Sequence, residues 1–154
     1  MTGQQRKIIH IGFGNFAEEK RFVARKGKMP INPVTGKCAK ANDPDTWGTF
    51  NQAIEAMSTF ERNGVDGIGV QLGEGLCGID IDHCINEHGQ ISEKALDIIM
   101  TMKSYTEKSV SGTGVHILYK GTLPDGARRL DDLEMYSEGR YFVLTGDIYE
   151  FQCG

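Results

Sequence analysis

Apolar positions along the chain recur in two periods, and the change from one to the other lays out its elements. Trp47, Phe50, Ile54, Met57 and Phe60 follow one another at intervals of three and four, the repeat of a single buried helix face. Asp43 or Asp45 is placed to cap this helix and Asn63-Gly64 to end it. A second helix is expected over 92–103, with Ala95, Leu96, Ile98, Ile99 and Met102 on its buried side. Elsewhere short apolar or alternating runs predict strands. Two β-like runs, 8–11 and 21–24, are separated by Gly12, Gly14 and Asn15, and Pro30, Pro33, Gly36 and Pro44 make 29–45 loop and turn. Runs at 67–72 and 77–82 flank Gly73-Glu74-Gly75 and predict a β-hairpin. The last third alternates strands at 105–110, 115–120, 133–137 and 140–145, with a turn at Leu123-Pro124-Asp125-Gly126. Together these predict one α+β domain over residues 1–154 with a largely antiparallel sheet.

Composition narrows the class. A chain of 154 residues, 39% apolar, with a net charge of −4, is an ordinary globular domain and neither a disordered, a fibrous nor a membrane-spanning one. At this length about 68–70% of the unfolded surface can be buried, so disulfides are optional. Cys38, Cys77, Cys84 and Cys153 form no C-x-x-C pair, and the start MTGQQRK has no apolar stretch of the secretory kind. A reduced, cytoplasmic protein with no membrane partner is expected. Glycine is enriched, with 20 residues overall and six among the 15 from Gly64 to Gly78, so the backbone there bends sharply or approaches something closely.

Charge is segregated. Lys20, Arg21, Arg25, Lys26, Lys28, Lys37 and Lys40 lie in a stretch without an acid, which leaves ten cations against 21 acids, or −11, for the remainder. Such a stretch is either a solvated loop or a phosphate-facing arm on an acidic body.

Three segments carry candidate chemistry. In Gly78-Ile79-Asp80-Ile81-Asp82 the strand period of two puts Asp80 and Asp82 on one face and the isoleucines on the other. Two carboxylates held that close favour a cation between them, and oxygen-only ligands suit Mg²⁺ or Mn²⁺ over Zn²⁺; a solvated strand end is the plainer alternative. Ser109-Val110-Ser111-Gly112-Thr113-Gly114-Val115-His116 is a small-residue turn with a histidine beyond it, whose amides can cradle an anion while His116 donates to a phosphate oxygen. Leu133-Glu134-Met135-Tyr136-Ser137 supplies a third carboxylate, Glu134, and the following Arg140 can bind phosphate bidentately. The cluster Asp82-His83-Cys84 with His88 fits no common four-ligand spacing, so structural zinc is not expected. The chain has no G-x-S-x-G elbow to support a serine hydrolase.

Taken in order, these segments resemble the archaeo-eukaryotic primase superfamily, in particular the primase-polymerase domain of phages, plasmids and other mobile elements. The D-x-D motif matches Asp80 and Asp82, the S-x-H-like motif the segment from Ser109 to His116, and the later strand acid Glu134. Flanking segments are similar too: Met29-Pro30-Ile31-Asn32-Pro33, Asn42-Asp43-Pro44-Asp45-Thr46-Trp47, Tyr105-Thr106-Glu107-Lys108-Ser109 and Gly139-Arg140-Tyr141-Phe142, over roughly 27–146.

The resemblance implies an RRM-like antiparallel sheet packed with an N-terminal α/β module, the active site lying in the cleft between them. It implies a nucleotidyltransferase that starts or extends a primer on single-stranded DNA from nucleoside triphosphates, in replication of a mobile element. Asp80, Asp82 and Glu134 would hold two Mg²⁺ or Mn²⁺ ions about 3.5–4 Å apart. His116 with Ser111 and Gly112 would take the triphosphate, Arg140 and Lys28 would add phosphate contacts, and Arg25, Lys26, Lys37 and Lys40 would follow template backbone. Residues 1–27 match the family poorly, and the chain ends soon after the last family strand. The expectation is the catalytic core of a longer primase-helicase or a truncated form, with a helicase domain or subunit as partner. Two other classes stay open: a nucleotide- or single-stranded-DNA-binding module with incomplete catalysis, and a metal-dependent nuclease using the same acids.

Overall fold

The computed structural model describes residues 1–121 and 128–149. In chain order its helices and strands are α1 (Gly3–Phe13), β1 (Phe22–Lys26), β2 (Met29–Ile31), α2 (Phe50–Thr59), β3 (Gly67–Gln71), β4 (Leu76–Ile81), α3 (Glu93–Met102), β5 (Tyr105–Lys108), β6 (Val115–Lys120), β7 (Arg128–Leu130), β8 (Leu133–Tyr136) and β9 (Tyr141–Leu144). They form a mixed α/β structure with two antiparallel sheets. The chain divides into two compact units, Met1–Leu72 with Gly139–Gly146, and Gly73–Glu138 with the described residues from Asp147 onward. Among the described residues no helix is long and apolar enough to cross a membrane.

In the first unit the sheet order is β2-β1-β3-β9. Its N-terminal element corrects the sequence reading: residues 8–11 are the second half of a helix, not a strand. Thr2 and Gln5 form a capping box, each side chain bonded to the other's backbone amide, which satisfies donors a new helix leaves open. Ile9 and Phe13, one turn apart, are buried while Ile11 is exposed, so the apolar run serves one helical face. The rings of Phe13, Phe22 and Phe50 meet edge to face at 5.6 and 5.4 Å. The helix predicted from Trp47 to Phe60 is shorter than its apolar repeat. Asp43 caps a 3-10 turn at Pro44–Thr46, and α2 itself starts behind a second capping box, Thr49 with Gln52. The basic 29–45 segment also contains the short strand β2.

The predicted hairpin does not form. Its two runs become β3 and β4, which belong to different sheets: β3 pairs with β1 and β9, β4 with β6 and β8. The turn Gly73-Glu74-Gly75 has three consecutive positive φ angles and supports an isolated bridge from Gly73 to Leu76. Each strand instead gains two partners, which satisfies the amides and carbonyls on both of its edges.

The second unit has the order β5-β6-β4-β8-β7. Ser92 caps α3 and Lys103 ends it in the left-handed region, matching the predicted span. Ala95 and Ile99 of α3 pack with Ile79, Ile81, Val115 and Ile117 from one face of the sheet. The outer edge of β5 is paired by the segment at 147–149, through Lys108 N to Asp147 O (2.8 Å) and Tyr149 N to Thr106 O (3.0 Å). The expected turn at 123–126 lies outside the described residues.

Candidate active site

Strand register turns three separate sequence motifs into one row. Glu107 on β5 faces His116 on β6, His116 faces Asp80 on β4, Asp80 faces Glu134 on β8, and Glu134 faces Arg129 on β7. A line of five ionisable residues thus crosses all five strands. Because side chains alternate along a strand, the row occupies the face opposite Ile79 and Ile117, which pack toward α3.

The row runs from a buried end at Glu107 to an exposed end at Arg129. Glu107 has no exposed side-chain area, His116 13%, Asp80 24% and Glu134 17%, while Arg129 is 69% exposed. His116 lies between two carboxylates, Nε2 at 3.6 Å from Asp80 Oδ1 and Nδ1 at 3.7 Å from Glu107 Oε1. Asp80 Oδ1 is screened from solvent. Tyr105 OH donates to Glu107 Oε2 at 2.8 Å. Burial, and then the Glu107 charge, push the Tyr105 hydroxyl above the ordinary phenol range, so it stays a donor. Glu134 is held on both oxygens, by Arg129 Nη2 at 2.9 Å and by Tyr136 OH.

Asp82 stands one residue beyond β4 and is exposed, its amide donating to the Asp132 carbonyl at 2.8 Å. The three expected acids are therefore not gathered into one cluster. Among the described residues no group of three His, Cys, Asp or Glu side chains is arranged to hold a metal ion. The donor chemistry nevertheless fits a hard divalent cation: Asp80 and Glu134 offer carboxylate oxygens from adjacent strands, and Asp82 offers another two residues along from Asp80. Nearby, burial and the Asp80 and Asp82 charges push the Cys84 thiol up, and its sulfur donates to the Ile81 carbonyl at 3.5 Å.

The segment between β5 and β6 presents hydroxyls. Ser109, Ser111 and Thr113 form a chain, Oγ to Oγ at 3.1 Å and Oγ to Oγ1 at 2.8 Å. The amides of Gly112, Thr113 and Gly114 donate within the loop, to Ser109 O, Ser111 Oγ and Ser109 Oγ. The expected cradle of exposed amides is thus replaced by a hydroxyl rim, with Ser111 and Gly112 both exposed. Gly114 is fixed by crowding, since a Cβ there would stand 2.7 Å from the Ile81 carbonyl and 3.4 Å from Asp82 Cα. Its absent side chain lets the loop lie against the end of β4.

The remaining expected residues belong to the first unit. Lys28 is exposed in the β1–β2 turn, where its carbonyl accepts from Tyr141 OH. Arg140 is exposed just before β9, its carbonyl accepting from Leu72 N. Lys26, Lys37 and Lys40 are exposed. Arg25 is not a surface cation: its side chain is 12% exposed and donates to the carbonyls of Ile68 and Gly27, both at 3.1 Å. It crosses β3 where Gly67 leaves room, as a Cβ at Gly67 would meet the guanidinium at 2.4 Å. Arg21 is also interior, paired with Glu19, bonded to the Gln71 carbonyl and stacked over Phe16 at 4.8 Å. Sequence reasoning assigned no role to Glu107, Tyr105, Arg129 or Tyr136. Tyr136 shares the period-two face of Glu134 on β8 and Arg129 sits across the short β7–β8 hairpin, so both lie near the motif in sequence; Tyr105 and Glu107 reach Asp80 only through the pairing of β5, β6 and β4, which no local pattern carries.

No protein-family model matches the chain. The chain is 37% identical over 135 residues, 82% of its length, to a DNA primase-polymerase of Nitratiruptor phage NrS-1, and spans 18% of that protein. It belongs to the archaeo-eukaryotic primase superfamily, as a primase-polymerase domain of the phage type.

Proposed function

We propose that the chain carries the catalytic centre of a template-dependent DNA primase-polymerase, joining nucleotides from nucleoside triphosphates in replication of a mobile genetic element. The observation that carries this reading is the cross-strand row, which puts the acid of the D-x-D motif, the histidine of the S-x-H segment and the later glutamate at one ladder position. The strand order β5-β6-β4-β8, with α3 in the first crossover, supports an RRM-like reading of the second unit.

In the reaction the primer 3′-oxygen forms a bond to the α-phosphorus, the bond from that phosphorus to the β-phosphate bridging oxygen breaks, and the hydroxyl proton is lost as pyrophosphate leaves. Asp80, Glu134 and Asp82 are the residues that would hold divalent ions, Mg²⁺ or Mn²⁺; two such ions would lower the pKa of the attacking hydroxyl and neutralise charge on the leaving group. His116, Ser111 and Gly112 receive the triphosphate beside the hydroxyls of Ser109 and Thr113; Lys28 and Arg140 are each exposed cations able to bind phosphate. Lys26, Lys37 and Lys40 track single-stranded template through phosphate charge. A helicase domain or subunit is the expected partner.

Nucleotide incorporation on single-stranded DNA, with and without a primer, in Mg²⁺ and in Mn²⁺, tests the reading against an Asp80→Ala/Asp82→Ala control. Products that lengthen with added nucleotide and vanish in the control support it. Saturable nucleotide binding without product favours a binding module, and template shortening that the control abolishes favours a nuclease.

A further inference from the structure

Arg129 is the exposed end of the row, its side chain 69% open to solvent beside a Glu134 that is 17% exposed. That carboxylate already has a buried donor. Tyr136, 8% exposed, donates to Glu134 Oε2, and Arg129 Nη2, 2.9 Å from Oε1, is a second donor to the same group. An ion pair this open contributes little to stability. A guanidinium is a planar fork of N–H donors that matches phosphate as well as carboxylate. Glu134 holds this fork on the face that carries Asp80 and His116, with most of it in solvent.

Charge balance along the row gives Arg129 a second partner. With the acids empty, its charge offsets the opposed carboxylates of Asp80 and Glu134. Once those acids hold divalent ions the offset is redundant, and guanidinium and ions repel one another. The exposed end of the row then carries surplus positive charge on the face where an anionic substrate has to lie, and phosphate oxygens are the acceptors that meet it. We propose that Arg129 is a substrate-phosphate residue, held by Glu134 until divalent ions occupy the acids and then turned to a phosphate group. This rests on the metal and nucleotide roles proposed above. Phosphate can come from the triphosphate or from the DNA backbone. His116 lies on the β6 side of Asp80 and Arg129 on the β7 side of Glu134. With the triphosphate at His116, the β7 side falls to the strand that brings the attacking hydroxyl, because attacking and leaving oxygens stand on opposite sides in an in-line displacement.

Binding without chemistry tests this on the full chain. Fluorescence anisotropy gives affinity for a labelled primed template with no nucleotide present, and calorimetry gives affinity for a nucleoside triphosphate with no DNA present, each in Mn²⁺ and in EDTA. In Mn²⁺, Arg129→Ala should weaken binding of the primed template about tenfold, the scale of one lost charged hydrogen-bonding group, and leave the triphosphate unchanged. In EDTA the loss should nearly vanish, because Glu134 holds the guanidinium in the wild-type protein. Arg129→Lys keeps the charge without the fork and should fall between the two. A loss confined to the triphosphate in Mn²⁺ upholds the phosphate role and assigns its source to the nucleotide. Wild-type affinity for both probes in Mn²⁺ overturns the proposal, as does an equal loss with and without Mn²⁺. If the wild-type chain incorporates no nucleotide in the extension assay, the primase reading fails, and the two binding arms still uphold or overturn the role of Arg129.

Discussion

Asp80 and Glu134 occupy directly opposed positions on the neighbouring antiparallel strands β4 and β8, a placement in which like charges repel. The row supplies its own compensation. Arg129 and Tyr136 engage Glu134, and His116 flanks Asp80 from the other side. The fold thus tolerates two adjacent acids by placing donors at both ends of the pair.

Neutralising Asp80 should therefore separate stability from activity. Asp80→Asn keeps volume and removes one of the two opposed charges, so the melting temperature is expected to stay level or rise. Extension of a primed template is expected to fall by about a hundredfold or more, the scale seen when a preorganised electrostatic group is removed. Asp82→Ala, at an exposed position, should change stability by no more than about 0.5 kcal/mol and also lose extension. Thermal melts beside gel-based extension assays check both, and wild-type extension by either variant removes that acid from the site.

Arg129 provides a second separation. It is exposed, and its guanidinium competes with any cation for Glu134 Oε1. Hydrogen bonding to Tyr136 and the Glu134 charge raise its pKa, so it remains charged at any working pH. Arg129→Ala should lower the melting temperature slightly, because the opposed Asp80–Glu134 pair loses one of its compensating charges, and should tighten Mn²⁺ binding, because Glu134 loses its resident counter-charge. Calorimetric titration of Mn²⁺ reads this directly; weaker binding would mean that Arg129 orders Glu134 rather than competing for it.

How far the sequence reached is visible in particular elements. The α3 span, the β6 span and the alternation at Asp80 were legible because each depends on local period and capping, as Ser92 illustrates. Residues 8–11 misled because Ile8, Ile9 and Ile11 favour strands, while the deciding signal, the Thr2–Gln5 capping box, lies six residues earlier. The 67–82 hairpin misled because a glycine-rich turn between apolar runs does not reveal that better partners lie far along the chain, at Tyr141–Leu144 for β3 and Val115–Lys120 for β4. The same limit hid Glu107. An acid in an alternating strand looks solvent-facing until its strand is paired beside β6 and its edge closed by the 147–149 segment.

The glycines near the hydroxyl rim should differ sharply in their tolerance of a methyl group. At Gly114 a Cβ meets the Ile81 carbonyl at 2.7 Å, a backbone atom that cannot move without shifting the end of β4. Gly114→Ala is expected to cost about 3 kcal/mol, at the upper end for overpacking. Gly112 has open space around it, so the cost of Gly112→Ala comes from its positive φ of 76° alone and is expected to be about 1–2 kcal/mol. Urea denaturation of the two variants gives the comparison, and equal losses would contradict the close approach at Gly114.

The basic stretch should divide into cations that hold the fold and cations that hold DNA. Arg25 donates to two carbonyls across Gly67 from a largely buried position, so Arg25→Ala leaves acceptors unsatisfied and is expected to destabilise by about 1–3 kcal/mol. Its pairing with Asp66, which is exposed and 3.6 Å away, adds little. Lys37 and Lys40 are exposed, and Lys37→Ala/Lys40→Ala should leave the melting curve in place. If both lysines neutralise template phosphates, the double variant weakens single-stranded DNA binding and lowers the log–log salt slope by about 0.7 for each phosphate no longer neutralised. Anisotropy titrations across a salt series measure the slope. An unchanged slope would make the lysines a solvated loop, and would assign the template contacts to other exposed cations such as Lys26 on the same unit.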